Sequence, residues 1–195
     1  MKLVKTLLVA GALVVSGAAA NAASIFADTV VDYTQGFCTG GPADCSAYDP
    51  TRYDENNALG SPDGVFTALG FGGSIEVTFA GAPFPGGTAT SYEITTNRNN
   101  DHDEAAEIYA VLGGVVSPLL GVITNSPSGE SSVIVNGAFD SILIVDITKT
   151  FFGSTTSFDG FDVDAIGISA VPLPATALML LAGVGGLGMM RRKKS

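Results

Sequence analysis

The chain has no tryptophan, one histidine and two cysteines in 195 residues, and six of its nine Lys and Arg residues lie at the extreme ends. Each scarcity closes a route. A single histidine, His102, rules out multi-histidine metal centres and would be an obligatory member of any Ser-His-Asp triad; no Gly-x-Ser-x-Gly elbow accompanies it. Between residues 23 and 170 only Arg52, Arg98 and Lys149 are basic, against all nineteen acidic residues, a formal charge of −16. A body so acidic repels nucleic acid and anionic membrane surfaces, and favours cations or simple solubility. No glycine-rich phosphate loop is present either: "GFGGS" at Gly70 to Ser74 lacks a following helix and reads as a tight turn.

Cys38 and Cys45 stand close together in "FCTGGPADCSAYD" and read as one local disulfide. A two-thiolate metal clip and a redox pair are the alternatives. Against both, there is no second pair of soft ligands and the spacing is not Cys-x-x-Cys.

What the chain does have is two strongly apolar ends. "MKLVKTLLVAGALVVSGAAANAAS" opens with Lys2 and Lys5, an apolar run from Leu7 to Val15, and small residues up to Ala22. This is the pattern of a signal peptide over residues 1–22, cut by signal peptidase after Ala22 or Ala23. The other end, Leu173 to Met190, is apolar and spotted with glycine, and the basic stop Arg191, Arg192, Lys193 and Lys194 follows it. At about 1.5 Å per residue it is just long enough for a transmembrane helix, with the basic cluster on the cytoplasmic side and the body outside.

The order Val171-Pro172-Leu173-Pro174-Ala175, apolar helix, basic cluster resembles the PEP-CTERM sorting signal in its VPLPA variant, over residues 171–195. The resemblance implies a Gram-negative protein held first in the inner membrane. An exosortase would then cut it near Val171 to Ala175, and it would pass to the cell surface or the medium. The prolines keep the motif extended, as a peptidase substrate needs. Two rivals remain: Leu173-Pro174-Ala175-Thr176-Ala177 is similar to the sortase motif Leu-Pro-x-Thr-Gly, and the segment could be an uncut anchor.

The body, residues 23–170, is long enough for one domain with a sizeable core. Short apolar or alternating runs recur between turn signals, among them "DTVVDY", "SIEVTF", "SYEITT", "EIYAVLGG", "SVIVNG", "SILIVDIT" and "VDAIGIS". The spacing predicts an all-β fold, a single antiparallel β-sandwich. Ile75, Val77 and Phe79 share one face of "SIEVTF", whereas Ile142 to Val145 is apolar on both faces and reads as a central strand covered on each side. "DHDEAAEIYAVL" reads as a turn leading into a strand, despite its helix-favouring start.

"NNALGSPDGVFTALGFGGSIEVTF", "EAAEIYAVLGG" and "DGFDVDAIGIS" together resemble a discoidin or galactose-binding-like module, a jelly-roll sandwich of bacterial surface proteins. The resemblance brings the Asp63 loop next to the last strand. A two-residue period puts Asp162 and Asp164 on one side, with Asp159 just upstream. Asp63, Asp159, Asp162 and Asp164 are thus a candidate calcium site built from oxygen ligands. The competing reading makes Asp63 and Asp159 turn residues before glycine and leaves the other two solvated on a strand. Asp101, His102, Asp103, Glu104 and Glu107 read as a polar loop, since neighbours along a chain cannot all turn toward one ion.

These features lead to an exported, non-catalytic surface or matrix protein, active in adhesion or in an exopolysaccharide layer. The alternative is a calcium-supported carbohydrate-binding module, with Tyr33, Tyr48, Tyr53 or Tyr109 as the sugar platform in place of tryptophan. A hydrolase ranks last, because paired carboxylates carry little weight in so acidic a chain.

Overall fold

Alternation in "SIEVTF" is realised as a strand: Ile75, Val77 and Phe79 are buried while Ser74, Glu76 and Thr78 stay half exposed. The same period recurs along most of the chain. The computed structural model describes residues 24–38, 45, 50–94, 102–125 and 129–170. In chain order the strands are β1 (Ile25–Thr34), β2 (Thr67–Ala68), β3 (Ser74–Phe79), β4 (Gly87–Glu93) and β5 (Ala105–Leu112). They continue as β6 (Val115–Val116), β7 (Gly121–Thr124), β8 (Glu130–Val135), β9 (Ser141–Asp146) and β10 (Asp162–Ala170). A short helix, α1 (Thr148–Phe152), follows β9, and two 3-10 turns occupy Pro50–Tyr53 and Glu55–Ala58.

All pairings are antiparallel, in the order β6-β5-β9-β3-β1-β10-β4-β8, with β2 on β10 and β7 on β5. β1 belongs to both layers of the sandwich. Its first residues pair with the last strand, Ile25 with Ile168 and Phe26 with Gly167, and from Ala27 onward it pairs with β3. Two register shifts in β1, between Ala27 and Thr29 and between Val30 and Asp32, accompany that change of partner.

Inward side chains of both layers form one core, with Leu69, Ile75, Val77, Ile108, Phe139, Ile142, Ile144, Phe161, Ile166 and Ile168 almost fully buried. Burying each such side chain stabilises the fold by about 1.5–3 kcal/mol. Phe84 sits between Phe79 and Phe139, at ring centroid distances of 6.4 and 5.7 Å, and seals the core near the start of β4.

β9 is central, flanked by β3 and β5, but it is not covered on both faces. Ile142 and Ile144 are buried, whereas Leu143 and Val145 are half exposed. Their shelter comes from the same layer: Leu143 lies opposite Glu76 and Tyr109, and Val145 opposite Ser74 and Glu107. The strand buried nearly throughout is β10, from Asp162 to Ile168. "DHDEAAEIYAVL" does become a strand, because Ala106, Ile108 and Ala110 face the core and β9 supplies a ladder from Ala106 to Val111.

"GFGGS" is a tight turn, closed by the Gly73 N–H donating to the Gly70 carbonyl at 3.0 Å. It must be glycine. A Cβ on Gly73 would lie 1.9 Å from the Leu69 carbonyl oxygen, and Gly70 has φ +76°.

Cys38 and Cys45 are joined by a disulfide with Cα atoms 5.6 Å apart, packed with Tyr53, Ala68 and Phe66. Among the described residues no helix is long and apolar enough to cross a membrane. The expected signal peptide (1–22), the sorting residues Val171 to Ala175, the apolar run and the basic stop Arg191 to Lys194 lie outside the described residues.

Candidate functional site

At one end of the sandwich, where β4 and β9 finish and β5 and β10 begin, carboxyl side chains are drawn inside. Asp146, the last residue of β9, accepts from the backbone N–H of Gly72 (3.0 Å), Thr148 (3.2 Å) and Phe161 (2.9 Å), and from the Thr148 hydroxyl (2.6 Å). One side chain thus ties three loops together. Burial raises its pKa, and these four donors oppose the rise.

Beside it, the guanidinium of Arg52 sits 3.1 Å from Asp159 and 3.2 Å from Asp162 and stacks over the Phe66 ring at 4.9 Å. The Tyr53 hydroxyl donates to Asp159 at 2.9 Å. Asp159 and Asp162 both titrate above the usual carboxylate range, chiefly because they are buried; Arg52 opposes the rise. In Asp162 the negative fields of Glu104, Asp159 and Glu93 add to it.

Glu104 is fully buried. Its Oε1 accepts from the Ser157 hydroxyl at 2.7 Å and lies 3.0 Å from His102 Nε2. Burial first, then repulsion from Glu93, Asp159 and Asp146, pushes its pKa up to about 9, so the folded protein carries it protonated at neutral pH. Glu104 Oε2 and Asp162 Oδ1 are buried without a hydrogen-bond partner.

The four expected calcium ligands divide between two environments. Asp159 and Asp162 share Arg52, while Asp164 accepts from the backbone N–H of Asp63 (3.1 Å) and Gly64 (3.3 Å). The Asp63 carboxylate caps its own turn, accepting from the Val65 N–H at 2.9 Å. The Asp63 loop and the last strand do meet, but through backbone donors.

The expected common side for Asp162 and Asp164 is corrected by a bulge in β10 between Val163 and Ala165. Val163, Ile166 and Ile168 all enter the core, which an unbroken two-residue period forbids. Among the described residues no group of three His, Cys, Asp or Glu side chains is arranged to hold a metal ion. In this arrangement Asp159 and Asp162 face Arg52, and Asp63 and Asp164 accept from backbone N–H groups.

One further expectation is corrected. The polar loop at 101–107 hides the most buried carboxyl group: Glu104 immediately precedes β5 and turns inward. Of the tyrosines proposed as a platform, Tyr53 is buried on Asp159, and Tyr33 donates to the Ala68 carbonyl at 2.9 Å. Tyr109 is half exposed and bonded to Glu107; Tyr48 lies outside the described residues. Arg52, Glu93 and Asp146 were not singled out in the sequence. The cue for Arg52 was its rarity, as one of three basic residues in the body.

A solvent-open groove of about 440 Å³ runs along β1 beside the Glu55–Ala58 turn. Asp28, Thr29, Asp32, Glu55 and Asn56 give it polar walls, and Val30, Tyr33 and Leu59 contribute apolar surface. The two register shifts of β1 fall within this stretch.

With this architecture in hand, the sandwich is similar in fold to solved carbohydrate-binding modules of family 32. It is similar to the family 32 module of Streptococcus pneumoniae EndoD, with a TM-score of 0.51 and 10% identity over 76% of this chain and 100% of that one. The family 32 module of C. perfringens NanJ in complex with galactose gives 0.42 and 16%, over 75% and 98% of the two chains. At such identities the likeness is one of fold. Residues 170–194 match the PEP-CTERM protein-sorting motif, so the chain carries the address of an exported surface protein. No curated protein matches the chain.

Proposed function

We propose that the body is a non-catalytic glycan-binding module, delivered by exosortase processing to the cell surface or matrix, where it holds extracellular polysaccharide. The observation that carries this reading is the groove along β1. Carboxylate and amide groups of Asp28, Asp32, Glu55 and Asn56 are suited to accept hydroxyl hydrogen bonds, beside an apolar surface from Val30, Tyr33 and Leu59 that can take the face of a sugar ring. Its size suits a small ligand.

Two features support a binding role over catalysis. The carboxyl groups with raised pKa values are buried beneath the surface and tied to loops and to Arg52. Those in the groove sit open to water. The reading uses no metal, because the expected calcium ligands are engaged elsewhere.

The test is a glycan array and a polysaccharide pull-down with the mature protein, with and without chelator. Chelator-insensitive binding is expected. It should weaken by about tenfold for each hydrogen bond lost in Asp32→Ala and Glu55→Ala. Silence of the folded protein on all glycans would leave only a structural surface role, and calcium-dependent binding would restore a metal to the site.

A further inference from the structure

Opposite the buried carboxylates, the other end of the sandwich carries a bare apolar tip. β5 and β6 form a hairpin in which Leu112 pairs with Val115, leaving Gly113 and Gly114 as a two-residue turn. Both have positive φ, +57° and +78°, as a type I′ turn requires. The hairpin is held rigidly: Gly113 N–H donates to Asp140 Oδ2 at 2.8 Å, and Ser117 exchanges backbone and side-chain bonds with Ala110. Yet Leu112, Val115, Val116 and Leu119 all face solvent, Val115 at 72%. A preorganised cluster of aliphatic residues in water marks a contact surface.

Register shows what else lies at that end. Val111 is level with Ser141, Ser141 with Thr78, Thr78 with Thr29; then Ile25 with Ile168, and Ala170 with Gly87. The chain therefore leaves the fold, at Ala170, from the same end as the hairpin. Four strand steps separate β5 from β10, on the order of 20 Å at about 4.8 Å per step. No linker follows. The sorting-motif match begins at residue 170, and the apolar run of the sequence starts at Leu173, three residues on. Three residues reach about 10 Å.

We propose that in the uncut precursor the β5–β6 hairpin lies on the lipid surface, its aliphatic tip seated among the headgroups. This rests on reading residues 170–194 as a sorting signal with a membrane-embedded run. The contact is apolar, since of the described residues' basic side chains Arg52 is engaged with Asp159 and Asp162, and Lys149 lies over Phe71. Asp140, which holds the Gly113 N–H, favours a zwitterionic over an anionic surface. Docked in this way, the body is held in one orientation while the motif is cut, and detaches once the tether is gone.

The absence of tryptophan makes the test direct. Full-length Val115→Trp and Phe151→Trp are reconstituted into phosphatidylcholine vesicles, with and without brominated acyl chains, and tryptophan emission is read. A blue shift and a loss of emission in brominated vesicles are expected for Val115→Trp; Phe151→Trp, beyond the other end of β9, should keep its emission. If the chain stays with the vesicles but Val115→Trp is not quenched, the tip does not touch lipid and the proposal fails alone. A blue shift without quenching would assign the tip to a second copy of the chain and also overturn it. If the full chain does not remain with the vesicles at all, the membrane reading of the sorting segment falls, and the proposal with it.

Discussion

At one end of the sandwich six carboxyl groups, Glu93, Glu104, Asp146, Asp159, Asp162 and Asp164, are withdrawn from water; at the other, four aliphatic side chains are held out into it. Both arrangements run against the usual partition of residues and both carry a free-energy cost. The difference lies in what relieves it. The buried acids are met from within, by loop N–H groups, hydroxyls, a guanidinium and retained protons. Among the described residues nothing covers the apolar tip. The first end is therefore a fastening of the fold, and the second a surface awaiting contact.

The largest effect expected from breaking this contrast is at Asp146. Asp146→Ala strands the N–H groups of Gly72, Thr148 and Phe161 and should cost on the order of 4 kcal/mol in urea unfolding. A loss below about 1 kcal/mol would deny the buried end its fastening role.

A smaller effect follows from Glu104. The unfolded chain loses this proton near pH 4.5, whereas the folded protein keeps it to about 9. Glu104 stabilisation is therefore complete below pH 4.5, falls as pH rises through that window, and levels above it. Raised pKa values at Asp146, Asp159 and Asp162 act in the same direction. Denaturation midpoints should decline from pH 5 to 9, and Glu104→Gln, neutral at every pH, should flatten the decline. An unchanged slope in that variant would mean that the proton sits elsewhere.

The smallest is at the tip. Val115→Ser with Val116→Ser should leave the unfolding midpoint within about 0.5 kcal/mol of the parent, because both side chains stand largely in solvent. A larger loss would make the hairpin part of the core after all.

Much of the architecture was legible because apolar alternation is a local signal: β3, β5, β8, β9 and β10 all stand where their runs predicted. β4 was read too far along. Its first half, "GTAT", is small and polar, and only pairing on both sides makes it a strand. The site was less legible. Whether a carboxylate is solvated or buried depends on which loops close over it, and nothing local distinguishes Glu104 from Asp103. A one-residue bulge was enough to separate Asp162 from Asp164. Aromatic exposure was equally hidden: Tyr53 bonds inward to Asp159, while Phe37 is 70% exposed.

The position of β10 has a temporal consequence. It is the last of the described strands to leave the ribosome, yet it lies between β4 and β1, the strand that belongs to both layers. Ser24 and Ser169, at the two extremities, meet across 145 residues of chain. Until β10 arrives, β1 and β4 each keep an unpaired edge and the sandwich cannot close. Closure of the sandwich therefore waits on residues 162–170, and the segment matched by the sorting motif follows at once.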